Sequence, residues 1–489
     1  MRIGFDNEKY LKMQSENIKE RIKQFDNKLY LEFGGKLFDD FHASRVLPGF
    51  AADSKLQMLM QLADQAEIVM VVSADDIEQN KIREDLGITY DNDVIRLVEA
   101  FRGRGLYVGS IVLTKYAKQR SAILFQQRME NLGFKVYHHY LISGYPTNIP
   151  YIVSEEGFGK NDYIETTRPL VVVTAPGPGS GKMCTCLSQL YHELKHGIRA
   201  GYAKYETFPV WNIPLDHPIN IAYEAATADL NDMNMIDPYH LKAYGETTVN
   251  YNRDIEIFPV LNAMFMKIYG TSPYASPTDM GVNMAGNCII DDSICKEASK
   301  QEIIRRYYQA RCGLATGKRT PDEVNKIEML MSQTSVSSSD RAVVNVAMEL
   351  EDKIGAPTAA IELSDGTIIT GKTGALLGAS SAALLNAIKH LAGIPHKELI
   401  LSPESIAPIQ KLKTLYLGSR NPRLHTDEVL IALCATAANN EIANLALEQL
   451  PKLKGCQVHS SVILSSVDTK TFRKLECELT CEPKTSGKD

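Results

Sequence analysis

The sequence predicts an α/β fold: a mostly parallel sheet of Rossmann-like or P-loop-like layout, then a helical middle region and a second α/β subdomain. Short apolar runs alternate with segments of helical spacing in the first half of the chain, which is the pattern of βα units. The runs IVMVVS (68–73) and LVVVT (170–174) have no polar alternate positions, as expected for strands buried on both faces of a parallel sheet. After a Ser-rich stretch at 331–341, strand and helix patterns return.

Each predicted element has a local signal. Tyr10, Met13, Ile18 and Ile22 recur at helical spacing near the start of the chain. Strands are predicted at the apolar runs 29–33, 68–73, 107–114, 135–140 and 170–174. Helices are predicted at the periodic segments 117–132, 297–314, 321–331 and 375–391.

Length and charge limit the class of protein. A chain of 489 residues has room for about three domains, which we predict at 1–235, 236–335 and 336–489. With 53 basic and 59 acidic side chains the net charge is −6, so we expect none of the broad positive field that nucleic acids and membrane surfaces require. We therefore expect a cytoplasmic protein without a nucleic-acid or membrane partner, whose nine scattered cysteines are reduced thiols. A homo-oligomer is the general expectation for such a protein.

A glycine-rich turn follows the fifth predicted strand and precedes a helical pattern, in the segment LVVVTAPGPGSGKMCTCLSQL (170–190). This order is typical of a phosphate-binding loop, because glycines let backbone N–H groups face phosphate oxygens and the helix N-terminus adds partial positive charge. Lys182 is placed to reach the β and γ phosphates of a nucleotide. We predict that ATP or another phosphorylated ligand binds here, with backbone contacts from Gly177, Gly179, Ser180 and Gly181.

The loop departs from the G-x-x-x-x-G-K-[ST] pattern at two positions. Pro176 stands where the first glycine is expected, and Met183 stands where a serine or threonine would hold magnesium. The preceding strand is also fifth along the chain, whereas it is first in the ordinary P-loop fold. The alternative is that the glycines and prolines form a structural turn between strand and helix.

A second segment, GTIITGKT (366–373), satisfies the same pattern letter by letter. Its central residues favour an extended strand, and the preceding Asp365-Gly366 pair is typical of a hairpin turn. The two glycines would then lie at opposite ends of one strand. We therefore predict a hairpin here and not a phosphate loop.

The helix predicted after the glycine loop contains HELKH (192–196), a literal H-E-x-x-H motif. Histidines four residues apart can hold Zn²⁺ while the glutamate polarises a bound water. The second hypothesis is therefore a zinc-dependent hydrolase that uses His192, Glu193, His196 and Glu224. The alternative is that the histidines lie on the solvated face of an amphipathic helix.

Other polar residues lie where an open α/β sheet binds ligands. Asp75 follows a predicted strand, which is where a magnesium-holding or catalytic carboxylate belongs, although helix N-capping explains it equally well. The turn GGK (34–36) is a further candidate phosphate contact, and His42 is a candidate general base. Loop-like segments of the middle region supply the predicted substrate contacts Asn252, Arg253, Asp254 and Asp279.

Several strings along the chain are longer and more specific than a generic loop motif: LYLEFGGKLFDDFHASRVLPGF, APGPGSGK, YEAATADL, NYNRDIE and SPTDMG. Together they resemble the bacterial uncharacterised protein family 0371, over essentially the whole chain. The resemblance implies an α/β amino-terminal region, a helical middle and a carboxy-terminal subdomain similar to the cytidine-deaminase-like fold. The sequence lacks the zinc signature of active deaminases, so deamination does not follow.

The leading hypothesis is an enzyme that uses ATP and magnesium for phosphoryl transfer or ATP-driven ligation on a small molecule. In this hypothesis the glycine loop holds the phosphates, Lys182 stabilises charge in the transition state, and Asp75 helps to hold magnesium. A third hypothesis is a non-catalytic protein that binds a phosphorylated metabolite at the same loop.

Overall fold

The computed structural model describes residues 3–34, 37–38, 40–83 and 86–485. In this part of the chain the strands are β1 Leu29–Phe33, β2 Ala66–Ser73, β3 Ile82–Arg83, β4 Ile88–Thr89, β5 Tyr107–Thr114, β6 Lys135–His138, β7 Leu170–Thr174, β8 Gly201–Tyr205, β9 Asn234–Ile236, β10 Val249–Tyr251, β11 Gly281–Val282, β12 Thr358–Glu362, β13 Ile368–Lys372, β14 Gln457–Ser460 and β15 Glu478–Cys481. The α-helices are α1 Asn7–Lys23, α2 Phe41–Val46, α3 Ser54–Gln61, α4 Ala74–Glu78, α5 Tyr90–Arg102, α6 Arg120–Asn131, α7 Ile149–Ile152, α8 Lys182–Lys195, α9 Pro218–Ala226, α10 Pro238–Tyr244, α11 Asn252–Tyr269, α12 Pro277–Met280, α13 Asp292–Ala315, α14 Pro321–Gln333, α15 Ala342–Ile354, α16 Ala379–Leu391, α17 Pro403–Lys411, α18 Thr426–Ala437, α19 Glu441–Leu447 and α20 Ser466–Lys474.

The main sheet confirms the predicted α/β fold with a mostly parallel sheet. Its seven strands run parallel in the order β11-β8-β1-β7-β2-β5-β6. The strands at 29–33, 107–114 and 170–174 have the predicted bounds. Every residue of β2 and β7 is buried, which agrees with the unbroken apolar runs in their sequence. β8 and β11 lack such runs and are not among the predicted strands.

The connections that follow the parallel strands β1 and β7 run across the sheet in opposite directions. After β1 the next strand of this sheet is β2, on the far side of β7, whereas after β7 it is β8, on the far side of β1. Right-handed crossovers carry these two connections over opposite faces of the sheet. The two connections therefore diverge to opposite faces at the carboxyl ends of β1 and β7. Such a point is a topological switch point, and open α/β sheets bind ligands there.

Side chains of β1 and β8 distinguish the two faces of the sheet. Tyr30 donates a hydrogen bond to Glu193 of α8 (2.7 Å), while the hydroxyl of Tyr205 shares a hydrogen bond with that of Tyr10 in α1 (2.7 Å). Successive strand residues point to opposite faces. The residues that share the α8 face are therefore Tyr30, Glu32, Tyr202 and Lys204.

A smaller sheet in the C-terminal region confirms the second α/β subdomain. Its strands lie in the order β13-β12-β14-β15, with β12 antiparallel to both β13 and β14, and β14 parallel to β15. α15 packs against Ala360 on one face of β12, and α16 packs against Ala359 and Ile361 on the other. Helices thus cover both faces of β12. Its similarity to the cytidine-deaminase-like fold stays a prediction.

The predicted hairpin at 366–373 is confirmed. Gly366 lies in the turn with a φ of +87°, and Gly371 lies near the far end of β13. A Cβ at Gly371 would be 2.1 Å from the backbone nitrogen of Ala383 in α16, so this glycine allows close packing of the helix on the strand. The segment does not form a phosphate loop.

The chain divides into two compact units. Among the described residues, one unit takes in 3–224 and 231–298 and contains the seven-stranded sheet, and the other takes in 225–230 and 299–485 and contains the four-stranded sheet. The boundary falls inside α13, so the helical middle region contributes to both units. None of the nine cysteines forms a disulfide bond within the described residues. Within the described residues, no helix combines the length and the apolar character that a membrane crossing requires.

Candidate functional site

The glycine loop, residues 175–181, connects the central strand β7 to α8 in the order that the sequence predicts. Gly179 and Gly181 have φ values of +73° and +93°, which glycine adopts without the strain that a Cβ would cause. Gly181 is the N-cap residue of α8, and no side chain caps this helix. The loop therefore delivers an open helix N-terminus to the carboxyl edge of the sheet.

The first turn of α8 presents unpaired backbone donors. The N–H groups of Lys182, Met183 and Cys184 meet no acceptor within the described chain, because a helix has no carbonyl groups one turn before its start. The aligned peptide dipoles place about half a positive charge at this end. This arrangement suits an anion, which would accept hydrogen bonds from these groups.

Three buried hydroxyl groups near the loop have no hydrogen-bond partner among the residues that the structure describes. They belong to Ser73 at the end of β2, Thr174 at the end of β7 and Thr185 near the start of α8, and each residue is at most 1% exposed. A buried polar group without a partner costs about 1–3 kcal/mol. Such groups are ordinarily satisfied by protein, water or ligand, so their concentration around the loop is consistent with a binding site.

Side chains from two neighbouring elements hold the loop. Thr114, at the end of β5, donates from Oγ1 to the carbonyl of Ser180 (2.7 Å), and Ser180 donates from Oγ to the carbonyl of Gly177 (2.9 Å). Tyr90, the first residue of α5, brings its hydroxyl against Gly177, where an added Cβ would lie 2.2 Å from that oxygen. The position of the loop therefore requires glycine at 177.

Lys182 begins α8, which packs against β1, and is half-buried. Burial raises the pKa of the Cys186 thiol, one turn further along the helix, well above its ordinary value; Glu32 of β1 adds to this shift and Lys182 opposes it. Both charged groups therefore act on the same thiol. This places Lys182 and Glu32 at the switch point between β1 and β7.

Asp75 lies directly after β2, in the first turn of α4. Ser73 and not Asp75 is the N-cap residue of α4, and Asp75 accepts a hydrogen bond from Nε2 of Gln119 (3.0 Å). Gln119 belongs to the loop after β5, in which the exposed residues Lys115 and Lys118 have φ values of +50° and +61°. Since β7, β2 and β5 are neighbours in the sheet, the carboxylate and the two lysines lie at the same edge as the glycine loop.

A second group of ionisable side chains lies on the α8 face, at the carboxyl end of β8. Lys204 forms ion pairs with Glu206 (3.0 Å) and with Asp254 at the start of α11. It also donates to the hydroxyl of Tyr251 (2.9 Å), which in turn donates to Glu206 (3.0 Å). The predicted substrate contact Asp254 is therefore part of a hydrogen-bonded network, which we call the lysine cluster: Lys204, Glu206, Tyr251 and Asp254.

Burial and mutual charge set the protonation of the lysine cluster. Burial raises the pKa of Glu206 to about 7, a shift that Lys204 opposes and Asp254 increases. Burial by itself would lower the pKa of Lys204, but Asp254, Tyr251 and Glu206 raise it well above its ordinary value. Near neutral pH the cluster therefore contains a protonated Lys204 and a Glu206 carboxyl group that is partly protonated.

The other predicted substrate contacts have partners within the chain. Asn252 accepts the backbone N–H of Met233 (3.0 Å), and Arg253 forms an ion pair with the buried carboxylate of Asp232 (2.7 Å). Asp279 accepts backbone N–H groups at the N-terminus of α12. These three side chains stabilise the local structure of the middle region.

The HELKH segment is held by hydrogen bonds. A ring nitrogen of His192 lies 3.0 Å from the carbonyl of Phe158, and one of His196 lies 2.8 Å from the carbonyl of His192. Glu193 is 1% exposed and accepts from Tyr30. The alternative, that the histidines lie on a solvated helix face, does not hold for His192, which is buried, as is the neighbouring Glu193.

The residues of the zinc hypothesis do not assemble into a metal site. Glu224 lies in α9 and accepts the backbone N–H of Asn234 (3.2 Å). Across the described ranges, no group of three or more His, Cys, Asp or Glu side chains is arranged to hold a metal ion. The structure thus supplies no third ligand for His192 and His196.

Two further candidates contribute less. In the GGK turn, Gly34 follows β1, while Gly35 and Lys36 lie outside the described residues. His42 lies in α2 with its ring 5.1 Å from that of Phe208. Neither position adds a group to the glycine loop in the described chain.

Sequence patterns missed Lys204 and Glu206. The segment YAKYE (202–206) carries a signal that would have found them, because Tyr202, Lys204 and Glu206 occupy alternate positions. Alternate positions of a strand share one face. A polar face on a strand that follows a buried helix is a reason to expect a site there.

These features define an open α/β protein with a glycine-rich turn and a neighbouring ionisable cluster at the carboxyl edge of its central sheet. Sequence comparison then gives the family. A profile described as "Domain of unknown function DUF1846, N-terminal" matches residues 3–335, and the corresponding C-terminal profile matches residues 339–489. The chain belongs to this family.

Close relatives carry the name of the family that the sequence resembles. A UPF0371 protein of Corynebacterium diphtheriae is 58% identical over 483 residues, which cover 99% of this chain and 97% of that protein. A UPF0371 protein of Corynebacterium urealyticum is 57% identical over 486 residues, with the same coverage. A UPF0371 protein of Streptococcus uberis is 54% identical over 482 residues, 99% of this chain and 98% of that protein. The resemblance to family 0371 is confirmed.

Proposed function

We propose that this protein is an enzyme that binds the phosphate groups of a nucleotide, with ATP as the first candidate, and carries out phosphoryl transfer or ATP-driven ligation on a small molecule. The observation that carries the proposal is the uncapped N-terminus of α8 behind two left-handed glycines. Backbone donors fixed in this way bind an anion without reorganisation. Gly177, Gly179, Ser180 and Gly181 would shape the loop around the phosphates.

Lys182 would supply the fixed positive charge of the site. It starts α8, so its ammonium group adds to the partial charge of the helix N-terminus. Positive charge close to a transferring phosphoryl group lowers the barrier because it stabilises charge that develops in the transition state. Loss of this lysine should weaken phosphate binding and remove turnover.

Asp75 would contribute a carboxylate toward magnesium. Mg²⁺ usually keeps several waters and is held by one or two carboxylates together with substrate phosphates. A single aspartate at the carboxyl end of β2, beside β7 and its loop, is compatible with this mode of Mg²⁺ binding. The cation would neutralise phosphate charge next to Lys182.

Thermal unfolding with and without Mg-ATP tests the proposal. Ligand at 100 times Kd stabilises a folded protein by about 2.7 kcal/mol, so the wild-type Tm should rise clearly. Lys182→Ala should lose this rise. Lys195→Ala is the matched control, because Lys195 lies in the last turn of the same helix and pairs with Glu155 on the surface.

Turnover separates catalysis from binding. Wild-type protein that forms ADP or a phosphorylated product faster than Lys182→Ala supports an enzyme. Stabilisation by inorganic phosphate or sugar phosphates but not by Mg-ATP would instead favour a protein that only binds a phosphorylated metabolite. The departures from the P-loop pattern at Pro176 and Met183 would then explain why ATP does not bind. No stabilisation by any phosphate compound would refute the proposal.

A further inference from the structure

The lysine cluster and the glycine loop lie at the same edge of the sheet. β7, which leads into the loop, and β8, which carries Lys204, are separated only by β1. Two strand spacings amount to about 10 Å, which one small ligand can span. The cluster also lies on the face of the sheet that α8 covers, as the contact between Tyr30 and Glu193 shows.

Glu32 connects the two groups. Its carboxylate accepts a hydrogen bond from Tyr202 (2.7 Å) and acts electrostatically on both Lys204 of the cluster and Cys186 of α8. It follows that Glu32 lies between the cluster and the helix that begins with Lys182.

The negative charge in this region exceeds the positive charge once a phosphate is bound. Glu32 and Asp254 provide two carboxylates, Glu206 provides a third carboxyl group that is partly protonated near neutral pH, and Lys204 is the cation that pairs with Glu206 and Asp254. Lys182, the other nearby cation, is the residue that a bound phosphate would engage. Buried carboxylates in excess are unfavourable unless a proton or another cation compensates them.

We propose that Glu32, Glu206 and Asp254, arranged around Lys204, bind a primary ammonium group that lies about 10 Å from the phosphate in the glycine loop. The inference rests on the proposed phosphate site and names a class of substrate for it: an amine, carried either by the phosphorylated ligand or by a second substrate. An ammonium group offers three N–H donors and one positive charge, which the surplus carboxylates accept. Charge-assisted hydrogen bonds of this type are among the stronger polar contacts.

The adjacent ion pair shows what a purely structural role looks like. Arg253 and Asp232 pair one cation with one anion, with a hydrogen bond of 2.7 Å. The lysine cluster instead gathers carboxyl groups from β1, from the end of β8 and from α11 around one lysine. In this proposal the ammonium group of a ligand balances the remaining negative charge of the cluster.

Binding of ω-aminoalkyl phosphates of increasing chain length tests the inference against alkyl phosphates of the same length. Isothermal titration should show the best amine binding at least about tenfold tighter than its alkyl counterpart, since tenfold corresponds to about 1.4 kcal/mol. Glu206→Gln and Asp254→Asn should each reduce this preference while the affinity for inorganic phosphate stays unchanged. Glu165→Gln is the control, because Glu165 pairs with Lys135 on the surface of the protein.

A second titration identifies the source of the amine. Butylamine added to protein saturated with inorganic phosphate should bind only if the amine belongs to a separate substrate, whereas preference for the linked compounds alone places it on the phosphorylated ligand. Equal affinity for amino and alkyl phosphates, with no butylamine binding, would overturn the inference and leave the phosphate site intact. Failure of inorganic phosphate and every phosphate ester to bind the wild type would overturn both. The Tm values without ligand show whether each variant folds. If either Glu206→Gln or Asp254→Asn does not fold, the other variant provides the test.

Discussion

Replacement of Gly177 by alanine tests whether the glycine loop is held as the structure has it. The added Cβ would lie 2.2 Å from the hydroxyl oxygen of Tyr90 and 2.8 Å from its Cζ atom, whereas ordinary van der Waals contact begins near 3.4 Å. The oxygen must therefore move by about 1.2 Å. Tyr90 is 6% exposed, so it has little room to move.

The expected cost follows from two opposing effects. Overpacking of a buried contact costs about 1–3 kcal/mol. The φ of Gly177 is not in the left-handed region, so alanine also stiffens the unfolded chain and returns about 0.4–1 kcal/mol. The net destabilisation is therefore about 1–2 kcal/mol, which lowers Tm by a few degrees in a domain of this size.

Scanning calorimetry or fluorimetry of four proteins gives the answer: wild type, Gly177→Ala, the double variant with Tyr90→Phe, and Gly374→Ala. The phenylalanine removes the nearest clashing atom, so it should restore part of the lost stability in the double variant. Gly374 has no atom within 4 Å of an added Cβ and its φ also lies outside the left-handed region, so its replacement should not destabilise the protein and should stabilise it by up to about 1 kcal/mol. Equal Tm values for the two alanine variants, or no recovery with Tyr90→Phe, would refute the packing of Tyr90 on the loop.

Other consequences can be measured in the same way. Gly181→Ala should destabilise the protein by about 1–2 kcal/mol, because residue 181 has a φ of +93°, and chemical denaturation that shows no loss would contradict this. Asp468 raises the pKa of His425 through a hydrogen bond of 2.9 Å, so the pair should stabilise the protein, by about 0.5–1 kcal/mol. That stability is fully present below pH 6.5, the ordinary histidine pKa, and is lost as pH rises through the raised pKa. If the difference in unfolding free energy between wild type and His425→Gln grew with rising pH, the sign of this effect would be refuted. Protein purified without added metal should contain far less than one zinc per chain, since His192 bonds to a carbonyl group, and stoichiometric zinc by mass spectrometry would refute this.

Local sequence determined the central strands and the turn that follows one of them. The predicted bounds of β1, β5 and β7 agree with the structure. In β7, burial on both faces leaves an unbroken apolar run that can be recognised without any partner, and in β1 and β5 most residues are also buried. The hairpin at 366–373 was predictable for a similar reason, since Asp-Gly favours a turn and Thr-Ile-Ile-Thr favours a strand. Each of these features depends on residues that are contiguous in the chain.

The composition of the candidate site was decided only by the tertiary structure. Lys204 and Asp254 are 50 residues apart, Thr114 and Ser180 are 66 apart, and no local pattern relates the members of either pair. The zinc motif shows the converse, because HELKH has the spacing of a metal site while its side chains bond to carbonyl groups and to a tyrosine. The periodicity of apolar residues in the sequence predicts which residues face the core, because each buried position by itself favours an apolar side chain. Which polar groups meet at a sheet edge depends on strand order, and strand order is set by how the whole chain packs.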